Sequence, residues 1–365
     1  MKPTRRSLLA GSLVLPCVAQ SNAPRAVALG RKIRLGMIGF DGHADEILRV
    51  LPRLPDVELV SVADAASDAG AIAAHGKNPH VSRARRYSMT DEMLAREALD
   101  CVAICNNNGD RASAILACAA RKLDAIAEKP LALNRKDLNS VYEAVEKNRV
   151  HLGMLLPMRF DPPYLAMKRI VDSGAIGEVL QIDAQKSYQL GNRPDWQKKA
   201  STYGSTILWI GIHMIDLMTW ISGRRFREVA SFQARVGLPE MGDMQNVTAS
   251  VFRLDNGGTA TLRMDYLRPS TEAGHGDDRL RLAGTKGVLE FQKSTGVTLA
   301  TDHTSRRTIR ELPNQESVFI DFLQFICAGR QPTLTWPEIV RASEYALAAH
   351  EAADKHQILA IPHGA

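Results

Sequence analysis

Between residues 33 and 155 the sequence alternates short, almost wholly apolar runs with helix-patterned stretches, and this alternation limits the fold more than any other feature. Residues 33–39 read IRLGMIG, an apolar run ending in glycine. A helix pattern follows from about Gly42 to Leu54, with Ile47, Leu48 and Leu51 on one side. Residues 57–64, VELVSVAD, predict a strand that ends in an acid, and residues 100–105, DCVAIC, predict another. A helix near 110–121, an apolar run at 123–127, Glu128-Lys129-Pro130, a helix at about 134–147 and the run HLGML at 151–155 complete the series. Strands that are apolar on both faces and separated by helices predict a parallel sheet covered on both sides. Ligands of such sheets sit beyond the carboxyl ends of the strands.

After about Gly177 the period changes. Residues 179–188, 227–235, 247–254 and 259–266 alternate apolar and polar, and Asp255-Asn256-Gly257-Gly258 is a hairpin turn. Residues 279–282 and 288–291 flank a second turn, Gly284-Thr285-Lys286-Gly287. This half predicts a largely antiparallel open sheet, interrupted by an apolar helix at 205–221 and followed by helices at about 316–328 and 337–354. The expected organisation is a signal and tail at 1–31, a doubly wound α/β domain at 32–155, and an α+β domain at 156–365. The late helices are placed to pack back on the first domain. A chain of 365 residues is long enough for two such cores.

Arg5-Arg6 stand before an apolar stretch from Leu8 to Val18, too short for an ordinary membrane span, with small residues before a cut after Ala19. This reads as a twin-arginine export signal and predicts a periplasmic protein without a stable membrane span. Lys2, Arg5 and Arg6 lie in the signal, so the formal charge falls from +6 to +3 on its removal. That modest value, without a long basic run, argues against nucleic-acid binding. Cys101 and Cys105 share one strand face, Cys118 and Cys327 fall in helical patterns, and none has zinc-type spacing, so all four read as small core residues.

Asp64 lies 25 residues after Gly39, near the usual distance for an acid that binds an adenosine ribose in a Rossmann fold. Its charge repels a 2′-phosphate and favours NAD over NADP. Trp209, His213, Asp216 and Trp220 are spaced to share a helix face. On a helix this apolar, a His and an Asp need partners or a cavity. Two such residues without a third ligand at motif spacing predict no metal site.

Taken in order, several short segments resemble the Gfo/Idh/MocA family of oxidoreductases. They are the first strand and its turn, Asp64, residues 100–108, Glu128-Lys129-Pro130-Leu131, Arg159-Phe160-Asp161-Pro162, Gly174 to Glu178, Gly211 to Asp216, and Gly284 to Gly287. The resemblance runs from about residue 33 to 292. It implies that Lys129 lies beside the nicotinamide and the reacting hydroxyl, where an ammonium stabilises a developing alkoxide. It implies that His213 accepts the hydroxyl proton. It places Gly39, Asp41, Gly42, His43, Asp64, Asn108, Glu128 and Lys129 at the cofactor, and Arg159, Trp209, His213 and Asp216 at the substrate. Asp161 either lines the substrate pocket or caps the helix that follows. The expected activity is NAD(P)-dependent oxidation or reduction of a hydroxyl on a sugar, cyclitol or related polyol by a homo-oligomer. Redox-neutral glycoside cleavage with transiently reduced NAD, and a non-catalytic carbohydrate- or partner-binding protein on the same fold, are the alternatives.

The chain departs from the family pattern at three places. The glycine turn reads Gly39-Phe40-Asp41-Gly42-His43-Ala44, with Asp41 where backbone should approach the pyrophosphate. A carboxylate about 5 Å from a phosphate charge costs about 3 kcal/mol at an effective dielectric of about 20. Asp41 is therefore expected to turn away and cap the helix at Gly42, leaving His43 to face the phosphates; Asp41→Gly is then expected to tighten NAD. Arg111 replaces a histidine, either to bind an acidic substrate or to face solvent. Trp209 replaces an aspartate and is either an apolar platform for a sugar ring or core packing.

Overall fold

The computed structural model describes residues 25–64 and 71–361, so the segment expected to be an export signal, cut after Ala19, lies outside the described residues. Its first sheet contains β1 (Ile33–Ile38), β2 (Val57–Ala63), β3 (Arg85–Tyr87), β4 (Cys101–Ile104), β5 (Asp124–Ala127) and β6 (Leu152–Met154). The order is β3-β2-β1-β4-β5-β6 and every neighbouring pair is parallel. β4 is buried along its whole length because helices cover both faces. Strand order reverses between β1 and β4, which opens a crevice at their carboxyl ends. Asn107 and Asn134 cap the helices Asn108–Ala120 and Arg135–Asn148, each side chain accepting the N–H three residues on. The helix expected over 42–54 is broken into Ala44–Leu48 and a 3-10 turn, Leu51–Arg53. Pro52 lacks the N–H that a continuous helix needs, and its ring would crowd the carbonyl of residue 48.

The second sheet contains β7 (Val179–Tyr188), β8 (Phe226–Ala234), β9 (Val247–Leu254), β10 (Thr259–Asp265), β11 (Gly276–Gly284), β12 (Gly287–Gln292), β13 (Gly296–Thr301), β14 (Thr304–Thr308) and β15 (Leu359–Ala360). Its order is β14-β13-β12-β11-β7-β10-β9-β8-β15. β7 and β10 run parallel; the other pairs are antiparallel. β9 and β10 alternate buried and exposed residues, as one covered face requires. β14, TSRRT, escaped the sequence reading because it is polar and exposed throughout.

Residues 200–222 contain an 18-residue run apolar enough by composition to cross a bilayer, but 89% of that run is buried inside the protein. Within it, residues Ile207–Gly211 form a π turn ahead of the α-helix Ile212–Ser222. The helix Val318–Ala328 returns to the first sheet, where Phe319, Phe322 and Leu323 pack with Leu35, Met37 and Ile126. A second core continues from the other face of that sheet through the 207–221 segment to the second sheet. The carboxyl ends of β1, β4 and β5 thus face the buried helix from which His213 projects.

Candidate active site

Gly39 ends β1 with φ +69°, and a Cβ there would meet the Cys105 carbonyl oxygen at 2.6 Å. Glycine is what allows β1 to pass the end of β4 so closely. Gly42, φ +63°, is also required, because a Cβ would overlap the Glu128 carboxylate. Asp41 does not cap a helix, and its charge stays close to the buried Arg111 guanidinium. Its Oδ1 accepts the indole N–H of Trp196 at 2.9 Å, and the first helix begins after His43 without a side-chain cap. His43 turns toward Glu128 rather than outward to a phosphate position. Its backbone N–H donates to Glu128 Oε1, and its Nδ1 lies 2.5 Å from the same oxygen. Glu128 Oε2 accepts the Lys129 N–H at 2.8 Å. Burial alone would raise the Glu128 carboxyl, but attraction and hydrogen bonding from His43, with the Lys129 and Arg111 charges, hold it at about 2.

Lys129 is buried, and its Nζ donates to the Trp209 carbonyl oxygen at 2.7 Å. The same Nζ stands 3.1 Å from the centre of the Trp209 ring. Burial lowers the ammonium to about 7, with Glu128 opposing and Arg111, Lys186 and Arg193 assisting. Trp209 packs edge-on against Trp196, with ring centres 5.4 Å apart, and against Tyr203. It is a cover for Lys129 within the core, not an open sugar platform. His213 is buried with its ring centre 5.0 Å from that of His43, edge to face. Burial, then the Lys129 charge, push its pKa well down, so the imidazole is neutral near pH 7. Its Nδ1 is buried and has no hydrogen-bond partner among the described residues.

Arg111 neither faces solvent nor waits for an acidic substrate. It is fully buried and donates to Asn108 Oδ1 and to the carbonyls of Asn106, Lys129 and Pro130. Asn108 in turn donates to the Tyr203 carbonyl, so its amide is committed to protein groups rather than offered to a cofactor. Arg159 and Asp216 were expected at the substrate. The structure pairs them with each other in two bonds of 2.7 and 2.6 Å, and Glu338 and the Thr333 carbonyl take the remaining guanidinium nitrogen. The π turn is one reason the helix-face reading failed: a regular α-helical register does not hold between Trp209 and His213.

His43 and His213 share a pocket of about 400 Å³ with Asp161, Tyr188, His275 and Asp278. Asp161 stands at the start of the helix Pro162–Asp172 but makes no side-chain cap. Burial, then Glu46, raise its carboxyl to about 6, against the pull of Lys186. Lys186 is fully buried below the pocket and donates to Asp278 Oδ2 at 2.9 Å. The sequence reading missed this pair. Lys186 and Asp278 are nearly a hundred residues apart and become cross-strand partners only in the β7–β11 register.

Asp64, at the end of β2, lines a separate pocket of about 400 Å³ with Ser88, Thr90, Asn106 and Asp110. Asp64 Oδ1 accepts the Ile72 N–H at 3.4 Å. The glycine turn does not offer a free seat for the pyrophosphate, because Glu128 already holds the His43 N–H. Among the described residues no group of three or more His, Cys, Asp or Glu is placed to hold a metal ion.

A family model described as an oxidoreductase family with an NAD-binding Rossmann fold matches residues 33–155, and one for the GFO/IDH/MocA C-terminal domain matches residues 164–290. An inositol 2-dehydrogenase from Salmonella typhimurium is 26% identical over 206 residues, 56% of this chain and 57% of that protein. The chain thus matches little more than half the length of that relative. A myo-inositol 2-dehydrogenase from Thermotoga maritima is 25% identical over 281 residues, 75% of this chain and 80% of that protein. A solved structure from Thermotoga maritima, assigned as an oxidoreductase, superposes with a TM-score of 0.84 at 31% identity, covering 90% of this chain and all of the other.

Proposed function

This chain belongs to the GFO/IDH/MocA family of NAD-binding oxidoreductases, and on that footing we propose that it oxidises or reduces a hydroxyl of a sugar, cyclitol or related polyol. The observation that carries this reading is the unpartnered Nδ1 of a neutral, buried His213 on the wall of a polar pocket. A buried imidazole nitrogen without a partner is costly unless a ligand supplies one. A substrate hydroxyl is such a partner, and Nδ1 then receives its proton. NAD, when bound, supplies the two-electron acceptor. Lys129 supplies positive charge beside the site, and because its ammonium is lowered to about 7 it can also give up a proton at neutral pH. Tyr188 and Phe291 offer apolar ring faces to sugar C–H groups, while Asp161, His275 and Gln315 offer hydrogen bonds to hydroxyls.

The likeness to inositol dehydrogenases supports a cyclitol or sugar over other alcohols. The twin-arginine segment supports export to the periplasm after cytoplasmic folding. Exposed Phe232 and Val251, on neighbouring strands β8 and β9 of the second sheet, support association of copies through that sheet. The first test is to denature protein purified from the cytoplasm, identify any released nicotinamide nucleotide by mass spectrometry, and screen polyols beginning with myo-inositol for NADH formation. Stoichiometric NAD together with turnover of a polyol is the expected result. The cover of Trp209 over Lys129 favours a second reading, carbohydrate binding without turnover. Sugar binding with neither nucleotide binding nor turnover would establish it.

A further inference from the structure

At the first glycine turn the protein carries an anion of its own. Glu128 Oε1 takes both the backbone N–H and Nδ1 of His43, and Oε2 takes the Lys129 N–H. The carboxylate fills the space that the missing Cβ of Gly42 leaves. In a Rossmann crevice this turn is where backbone approaches the dinucleotide pyrophosphate. One N–H cannot serve two anions, and two anions in one confined space repel.

We propose that Glu128 is an internal competitor for the pyrophosphate seat, so that NAD binding and the Glu128–His43 contact exclude one another. The proposal rests on the NAD-binding reading and adds to it a residue that sets affinity. Asp41, the other carboxylate of the turn, is tied to the Trp196 indole, whereas the His43 N–H goes to Glu128. Glu128 does not escape the competition by neutralisation, since it stays ionised under its partners. The contact also joins two sites. The His43 ring meets His213 edge-on at the wall of the substrate pocket, so withdrawal of Glu128 frees a ring nitrogen beside that pocket. Arrival of the cofactor would therefore be felt where substrate binds.

The test compares NAD and adenosine binding by calorimetry to the wild-type chain and to Glu128→Gln, which keeps the shape and removes the charge. Adenosine ends before the turn. NAD affinity is expected to rise at least about tenfold in the variant, with adenosine affinity unchanged. Equal or weaker NAD binding by the variant, with adenosine still bound, overturns the competition and leaves the NAD-binding reading intact. Absence of NAD binding by both proteins removes that reading and this one with it. A measurement on the wild type needs no substitution: in ¹⁵N-histidine spectra, saturating NAD is expected to shift the His43 Nδ1 signal and adenosine is not. A His43 signal that NAD leaves in place also overturns the proposal.

Discussion

At the residue scale, the site is governed by what burial does to individual charges. Lys129 is a lysine at about 7 inside a protein whose unfolded chain would hold it at 10.5. Between those values the unfolded state binds more protons, so stability should rise with pH through that window. Lys129→Met removes the dependence. The stability difference between wild type and variant, followed by denaturant titration from pH 7 to 10, is expected to move in favour of the wild type by up to roughly 1.4 kcal/mol per pH unit. A parallel pair of curves would show that folding does not lower the Lys129 ammonium. His213→Gln keeps a polar group and removes the proton acceptor. Turnover of any polyol found in the screen should fall by about a hundredfold or more, with NAD affinity unchanged.

At the scale of elements, two departures from the family pattern turn out to be one structural feature. Asp41 in the glycine turn binds the Trp196 indole, and Trp196 packs on Trp209, which covers Lys129. From sequence alone, Asp41→Gly is expected to tighten NAD. The structure gives it another consequence, since the substitution strips the indole N–H of a half-buried acceptor. Trp196→Phe and Asp41→Ala should each destabilise by about 1–2 kcal/mol in chemical denaturation. The double variant should cost less than the two together, because both delete one bond. Additive effects would show that the two residues act separately. Gly42→Ala should be worse, combining a strained positive φ with overlap onto Glu128.

At the scale of the whole molecule, Arg159 is a knot rather than a substrate ligand. It ties the turn Pro157–Phe160 to Asp216 in the buried helix and to Glu338 in the helix Trp336–Lys355. Removing the cation leaves Asp216 buried without it, which costs about 3–5 kcal/mol. Arg159→Met is therefore expected to lower the melting temperature strongly. A near-normal melting temperature with weakened polyol binding would return Arg159 to the substrate site. The late helix Val318–Ala328 adds a further tie by covering the first sheet, which begins at Ile33, from the far end of the sequence.

The architecture was legible because it follows from local period. Doubly apolar runs such as residues 101–104 become buried parallel strands, and alternating runs such as 247–254 become strands with one covered face. Gly39, Asp64, Lys129 and His213 were legible because motif order places them at strand ends or on the buried helix. The partners of those residues were not. Glu128 on His43, Trp196 on Asp41, Asp216 on Arg159 and Asp278 on Lys186 all join positions at least 57 residues apart. Such contacts depend on sheet register, on a π turn that shifts one helix, and on which charge can reach a buried counter-charge. Short-range spacing carries none of that information. The sequence alone determined the scaffold and the chemical groups brought to it, and only tertiary packing decided which groups neutralise one another and which buried nitrogen is left without a partner.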